Sequence, residues 1–309
     1  MPTNFLGTTR FSLYEPTSPS WRLSRKDGRS DQDRYKRRLF SPDRMKSRIE
    51  IFFDHSLPLL AQGSRDHKLV HVVSFSEELP PQYRDYLENA VQQYDWLRLD
   101  CRGPENRRGI SLDDLARESF SPGETYAEYR LDDDDLLAST YFDTLSSYVS
   151  ESHVGFYVSF GLGIQAFYRD QTFLEPRIEH RPKIAIGLAR ICRVEPNGKI
   201  TGPRRVSHTQ SDRHAPIIVD SQSFQFLHTL HLSQDSGVDK PDGDLGNRIR
   251  NYLNQEKPES GTVNELFTDI SVASMSDAEQ VKLILGAHAR TATLGSTLRK
   301  IKRRISFYV

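Results

Sequence analysis

The chain has 309 residues, and its 42 Lys and Arg residues balance 42 Asp and Glu residues. A net charge of zero gives no electrostatic reason to expect nucleic acid as a partner. No apolar run approaches the roughly 20 residues of a membrane-spanning helix, and the N-terminus does not resemble a signal peptide. With only Cys101 and Cys192, the chain predicts no disulfide framework, so we expect a cytoplasmic protein.

The beginning of the chain predicts a strand, a loop and a helix. The strand covers residues 5–13, and a long polar loop is expected over residues 14–40. Ser41 and Pro42 are the residue types preferred at a helix N-cap and at the first helical position. The apolar residues that follow have helical spacing: Met45, Ile49, Phe52, Phe53 and Leu57.

Strands and helices continue to alternate up to about residue 150. Strands are predicted over 69–75, 96–99 and 125–131, with helices over 79–94, 112–120 and 136–149. This alternation is typical of βαβ units, so we expect an α/β fold with a Rossmann-like, mostly parallel sheet.

The second half has a different pattern. Residues 154–160 and 164–168 predict a hairpin around a Gly-Leu-Gly turn, and 183–194 predicts another strand. This half should therefore be antiparallel and rich in loops. The last segment, 276–305, predicts a helix that ends in a basic stretch, Arg299–Arg304. Such a helix is either solvated or in peripheral contact with an anionic membrane at the inner face.

Four consecutive carboxylates, Asp132–Asp135, form the most informative motif. They follow a predicted strand, and parallel sheets bind ligands at the carboxyl ends of their strands. Four like charges repel each other unless a cation neutralises them. Mg²⁺ or Mn²⁺, held by one or two carboxylates and substrate phosphates, would satisfy that requirement. The alternative is that the acids cap the following helix, where Asp is also favoured.

Several segments together resemble the rhamnosyltransferase family of bacterial GT-A type glycosyltransferases. The resemblance is strongest over residues 1–150. It is carried by the stretches 9–12 (TRFS), 39–45 (LFSPDRM), 48–53 (RIEIFF), 56–62 (SLPLLAQ), 78–80 (ELP) and 130–135 (RLDDDD). It implies a GT-A type fold, a nucleotide-sugar donor with rhamnose as one candidate sugar, and Mg²⁺ or Mn²⁺ on an Asp-x-Asp motif.

The resemblance also implies roles for individual residues. Asp132 and Asp134 would be the two acids of the Asp-x-Asp motif and would hold the metal, with Asp132 also facing the nucleotide. Asp135 would be an additional catalytic acid. Arg10 and Arg130 would lie near the nucleotide.

A late histidine would complete the metal shell. His231 stands where the family has its histidine, although the Gly and Asn that follow in the family are absent, and His208 is the alternative. Leu136 is another departure, because the family usually has a small residue there.

An inverting transferase also needs a general base for the acceptor hydroxyl. Asp212 is our candidate, with Asp220 and Asp235 as alternatives. The chain contains no phosphate-binding Gly-rich motif and no Cys/His spacing typical of zinc. These absences argue against a P-loop kinase, a Rossmann dehydrogenase and a zinc enzyme.

The sequence thus predicts a metal-dependent glycosyltransferase that uses a nucleoside-diphosphate donor and a glycan or lipid-linked acceptor. Residues 1–150 would be the nucleotide-sugar-binding half, 151–270 the acceptor-side half of the same domain, and 271–309 a basic helical segment. The alternatives are a non-catalytic glycan- or nucleotide-binding domain and a metal-dependent phosphohydrolase.

Overall fold

The computed structural model describes residues 2–15, 31–231 and 245–285. Its first half contains these elements: β1 (Asn4–Arg10), α1 (Gln32–Leu39), α2 (Pro42–Ile49), a π-helical segment (Glu50–Ser56), α3 (Leu57–Gly63), β2 (Lys68–Ser76), α4 (Pro81–Gln93), β3 (Leu97–Arg102), α5 (Leu112–Ser119), β4 (Thr125–Asp132), β5 (Leu136–Leu137) and α6 (Tyr141–Ser146).

The second half contributes shorter helices and most strands of a second sheet. Its elements are β6 (Tyr157–Phe160), β7 (Leu162–Arg169), β8 (Thr172–His180), β9 (Ala189–Val194), β10 (Ile200–Thr201), α7 (Ser211–His214), β11 (Ile217–Asp220), β12 (Phe226–Leu230), α8 (Leu245–Leu253), α9 (Thr262–Leu266) and β13 (Ser271–Ala273), with 3₁₀ turns at Glu151–His153 and His208–Gln210.

Among the described residues, the larger sheet has the order β11-β6-β9-β4-β1-β2-β3, with β10 at the side of β9. Strands β4, β1, β2 and β3 are parallel, whereas β9 runs antiparallel to both of its neighbours. The smaller sheet, β13-β8-β7-β12-β5, mixes both directions. The prediction of a mostly parallel α/β sheet with a partly antiparallel second half is confirmed.

Two predicted elements differ from the structure in the first half. The loop expected over 14–40 includes α1, which Asp31 caps by accepting a hydrogen bond from the Arg34 N–H. Most of its residues are charged, but Tyr35 and Leu39 are buried, and this single apolar face suffices for a short helix. The helix expected over 136–149 is replaced by β5 and the shorter α6.

The predicted hairpin over 154–168 is also wrong. Strands β6 and β7 are adjacent in sequence but belong to different sheets. Gly161 lies between them, and its N–H donates to the carbonyl of Asp220 instead of closing a two-strand turn. The hairpin of this region is the next one, in which β7 pairs with β8.

The predicted C-terminal helix is described only in part. Residues 277–285 are helical. The remainder up to 305, including Arg299–Arg304, lies outside the described residues. Within the described ranges, every helix is too short or too polar to span a membrane.

The larger sheet has two different faces. On one face, apolar side chains such as Phe5 and Val73 pack beneath α2, α3, α4 and α6 in the main core. On the other face, only one end is apolar, where Leu6, Tyr126 and Cys192 pack against α5. The rest of this second face carries charged side chains. They line a cavity that could hold a ligand.

Three buried polar groups stabilise the centre of the sheet. The imidazole of His71 is fully buried and lies 2.9 Å from the Thr9 hydroxyl and 2.8 Å from the Tyr129 hydroxyl. Gly7 provides the space for this arrangement, because a Cβ atom there would lie 2.1 Å from Nδ1 of His71.

We predict that Gly7→Ala destabilises the fold by about 3 kcal/mol, since the new methyl group would overlap two buried rings. Gly123→Ala is the control. Gly123 has a φ of 92°, and a Cβ atom added there would meet no other atom within 4 Å, so its substitution adds only backbone strain, about 1 kcal/mol. Urea unfolding measures both values. Equal losses for the two variants would contradict the overlap at Gly7.

Burial lowers the pKa of His71 to about 3. In the unfolded chain a histidine titrates near 6.5, so between these values only the unfolded state takes up the proton. The free energy of unfolding should therefore fall as the pH drops below 6.5, by about 2–3 kcal/mol at pH 4.5. His71→Gln removes this contribution and should show a shallower loss in acid unfolding curves. Parallel curves for the two proteins would rule out a neutral buried His71.

Candidate active site

Strand β4 brings charged side chains to the open face of the larger sheet. Side chains alternate along a strand, so Tyr126, Glu128, Arg130 and Asp132 share one face. Tyr126 packs against α5, and the other three line a cavity of about 430 Å³. The neighbouring strand contributes Arg10, which is in register with Asp132.

The cavity lies at the carboxyl ends of β1, β2, β3 and β4, the edge at which open α/β sheets bind ligands. Among the described residues, six arginines and four acids line it, a net charge of +2. They are Arg10, Arg102, Arg108, Arg130, Arg190 and Arg205, and Asp100, Asp113, Glu128 and Asp132. Arginine pairs in a bidentate manner with phosphate oxygens, so this lining suits a phosphorylated ligand.

The three residues predicted to contact the nucleotide, Arg10, Arg130 and Asp132, all line this cavity. Arg130 donates to Asp132 at 2.7 Å, and both side chains remain partly exposed. Because of Asp132, the pKa of Arg130 is raised further above its ordinary value. Arg10 is about half exposed and lies 3.9 Å from Glu15. The structure therefore brings these three residues together.

A buried ion network forms the other end of the cavity. Glu128 accepts two hydrogen bonds from Arg205, at 2.7 and 2.6 Å, and lies 3.3 Å from Nε of Arg190. Arg190 also donates to the carbonyl of Pro203. The segment around 203–205 is thus held across the sheet by the charge of Glu128.

The four acids Asp132–Asp135, here called the acid run, have different surroundings. Asp132 ends β4 and is partly exposed, whereas Asp133, Asp134 and Asp135 are buried. Asp133 accepts a hydrogen bond from the backbone N–H of Ser12 at 2.9 Å and another from Arg48. Burial raises the pKa of Asp133 to about 6, although Arg48 opposes the shift, so the carboxylate is ionised at neutral pH.

Asp134 lies between a cation and an imidazole. Its Oδ2 atom is 2.9 Å from Nη2 of Arg48 and 3.2 Å from Nε2 of His231. Burial disfavours its charged form, but Arg48 and His231 together hold the pKa of Asp134 below its ordinary value. Burial also lowers the pKa of His231, against the effect of Asp134, so the neutral imidazole prevails at pH 7.

Asp135 points to the second sheet. Its Oδ1 atom accepts a hydrogen bond from the N–H of Thr229 in β12, at 3.0 Å. Burial and the nearby charges of Asp134 and Asp132 raise the pKa of Asp135 well above its ordinary value. The raised pKa favours the protonated form of Asp135, and the hydrogen bond from Thr229 joins the end of β4 to the strand that leads into His231.

Two of these side chains are of types that can ligate a divalent cation. Within the part of the chain that the structure describes, no group of three or more His, Cys, Asp or Glu side chains could hold a metal ion. Asp134 and His231 nevertheless converge, and together they offer a carboxylate oxygen and a neutral imidazole nitrogen. Mg²⁺ commonly takes only one or two protein ligands and completes its shell with water and phosphate oxygens.

The candidate base, Asp212, lies in α7 and is largely exposed. A hydrogen bond from Lys183, at 2.8 Å, lowers the pKa of Asp212. Asp220 accepts hydrogen bonds from the Tyr148 hydroxyl and the Gln222 N–H. Asp235 lies outside the described residues. His208 is partly buried, and burial followed by the charge of Arg130 lowers its pKa.

The structure brings residues to the acids that the sequence analysis did not single out. Arg44 and Arg48 lie within two of the stretches that carry the family resemblance and were given no role there, yet both are buried beside the acids. Charged residues inside strands, such as Glu128 in β4 and Arg190 in β9, could have indicated the buried ion network from the sequence. A buried strand tolerates a charge only when the charge is paired.

The protein has an α/β fold with a charged cavity at the carboxyl ends of its parallel strands, the edge at which such sheets bind ligands. The chain belongs to the family described as "Putative rhamnosyl transferase", whose sequence profile matches residues 4–242. The predicted glycosyltransferase family is thereby confirmed, and the match extends well beyond residue 150.

No curated protein matches the chain significantly. Among solved structures, the crystal structure of S. aureus TarS is similar with a TM-score of 0.35 and 10% sequence identity. That match covers 94% of this chain and 43% of TarS, so the chain spans less than half the length of TarS.

We predict that Glu128→Gln lowers the free energy of unfolding by about 3 kcal/mol, because buried Arg190 loses its carboxylate. Asp113→Asn is the matched control. Asp113 also pairs with Arg205, at 2.7 Å, but both side chains are about 40% exposed, so its loss should cost less than about 1 kcal/mol. Chemical denaturation of the two variants measures this difference, and equally small losses would show that the network is dispensable.

Proposed function

We propose that this protein is a GT-A type glycosyltransferase that takes a sugar from a nucleoside-diphosphate donor, with rhamnose as one candidate sugar. The observation that carries the proposal is the arginine-lined cavity at the carboxyl ends of β1 to β4, with Asp132 on its wall. A net positive cavity favours a diphosphate, and its position on the sheet is the one at which α/β folds bind nucleotides.

Different cavity residues are candidates for contact with different parts of the donor. Arg10 and Arg130 are partly exposed and are the candidates for contact with the diphosphate. Asp132 is the candidate for contact with the ribose, because a carboxylate accepts hydrogen bonds from hydroxyl groups. Arg108 also lines the cavity and adds positive charge without belonging to the ion network of Glu128.

Asp134 and His231 would hold Mg²⁺ or Mn²⁺ beside the diphosphate. When bound, the cation supplies charge that stabilises the departing nucleoside diphosphate. The charge states of the two candidate ligands suit cation binding. His231 is a neutral imidazole, the form that ligates metals, and Asp134 is ionised. Asp135 accepts a hydrogen bond from Thr229 and thereby holds β12, and therefore His231, next to Asp134.

Asp212 remains our candidate for the general base. Its lowered pKa keeps it ionised and its side chain is exposed, as proton transfer from an acceptor hydroxyl requires, whereas Asp135 is buried and its pKa is raised. Lys183 must move away from Asp212, or be displaced by the acceptor, before the carboxylate can take the proton. We propose a glycan or a lipid-linked glycan as the acceptor.

A thermal-shift experiment tests the donor site. The purified protein is heated with each member of a nucleoside-diphosphate panel, with and without MnCl₂. We expect the matching nucleotide at about 100 times its dissociation constant to raise the melting temperature by about 5 °C, and only when Mn²⁺ is present. No shift with any member of the panel would contradict a nucleoside-diphosphate donor.

Asp134→Ala should abolish the part of the shift that needs Mn²⁺, and it should abolish sugar transfer, because it removes a carboxylate ligand. Asp143→Ala is the control, since Asp143 is a highly exposed acid that pairs only with His67 at 2.9 Å. A Mn²⁺ response of Asp134→Ala equal to that of the parent protein would exclude Asp134 as a metal ligand.

A further inference from the structure

Arg48 contacts two successive acids of the run. Its Nη1 atom donates to Oδ1 of Asp133, and its Nη2 atom lies 2.9 Å from Oδ2 of Asp134. The Arg48 side chain is 7% exposed, and the two carboxylates are 4% and 12% exposed. These contacts are therefore largely shielded from water. In such a buried site, an unpaired charge is costly.

A second arginine supports the same turn. Arg44 lies one helical turn before Arg48 in α2 and is also buried. It donates to the hydroxyl of Ser12 at 2.9 Å and to the carbonyl of Leu39 at 2.8 Å. Ser12 in turn donates its backbone N–H to Asp133. Helix α2, the end of β1 and the acid turn are thus joined by one hydrogen-bonded network.

Among the described residues, the charges of the four groups in this network are equal and opposite. Asp133 and Asp134 contribute two negative charges, and Arg44 and Arg48 contribute two positive charges. A divalent ion that binds Asp134 must therefore compete with a guanidinium group for the same Oδ2 atom. Free Mn²⁺ should gain little at such a site unless phosphate oxygens add further ligands.

We propose that Arg48 is the positioning residue of the acid run, an internal counter-cation that fixes Asp133 and Asp134 before donor or metal binds. The proposal deepens the function inferred above and relies on it for the role of Asp134. Arg48 acts through the two carboxylates and is not itself assigned a contact with the substrate.

Arg48→Met tests this role with Mn²⁺ as the only probe. The variant keeps a long side chain but leaves two buried carboxylates without their cation. We expect its melting temperature to fall by about 5–10 °C in metal-free buffer. Added MnCl₂ should then recover at least about half of that loss, because the ion replaces the missing charge. The parent protein should shift by less than about 1 °C with MnCl₂ alone.

Arg177→Met is the matched control. Arg177 is equally buried and forms an ion pair with Glu175 at 2.7 Å in β8, in the smaller sheet. Its loss should also lower the melting temperature, but MnCl₂ should not restore it. A Mn²⁺ response confined to Arg48→Met therefore separates positioning of the acids from a general stabilising effect.

Two further variants keep the test decisive if Arg48→Met fails to fold. Arg48→Lys retains the charge and should fold, with a smaller loss and a smaller Mn²⁺ response. The double variant with Arg48→Met and Asp133→Asn removes one charge of each sign, and it should be more stable than Arg48→Met in metal-free buffer.

Three results would overturn the proposal. The first is a melting temperature of Arg48→Met within about 1 °C of the parent. The second is a loss that MnCl₂ does not reverse, as expected for Arg177→Met. The third is a double variant no more stable than Arg48→Met. None of these measurements contains a nucleotide, so failure of the donor proposal would appear separately, in the nucleotide panel with the parent protein.

Discussion

The burial of three adjacent carboxylates at the end of β4 is the constraint on which the site depends. Each of Asp133, Asp134 and Asp135 has a different means of tolerating burial. Asp133 is held by a backbone N–H and a guanidinium, Asp134 is shared by Arg48 and His231, and Asp135 accepts a backbone N–H from Thr229 while burial raises its pKa. These partners come from α2, from the loop after β1 and from β12, so satisfying the acids brings distant segments together.

Charged side chains are also paired on the open face of the larger sheet, but there the partners are partly exposed. Its arginines and acids pair with each other around the cavity, as Arg130 does with Asp132 and Arg205 with Asp113. Partly exposed pairs contribute little to stability and can exchange partners easily. A ligand phosphate can therefore displace an acid from an arginine at a modest cost, whereas the buried acids behind the cavity stay in place.

Much of this architecture was predictable from local sequence signals. The strands β2 and β4 and the helix start at Ser41 and Pro42 were predicted correctly, and the carboxylates stand at the end of β4 as expected. The errors arose where local pattern does not determine partners. Strands β6 and β7 lie next to each other in sequence yet enter different sheets, and α1 is stabilised by burial of two side chains within a charged segment. The roles of Arg44 and Arg48 depend on contacts with residues far away in sequence, such as Ser12 and Asp133.

The late position of strand β9 in the sequence affects how the larger sheet is assembled. It is the antiparallel strand that covers the outer edge of β4, and it consists of residues 189–194, some 60 positions after β4 ends. Until that strand is added, the edge of β4 exposes unpaired backbone groups, the kind of edge that invites association with other chains. Pairing at such sequence separation is entropically expensive and slow. Synthesis beyond residue 194 is thus a precondition for closing the sheet. The wall of the cavity is completed late, by a segment that contributes Arg190.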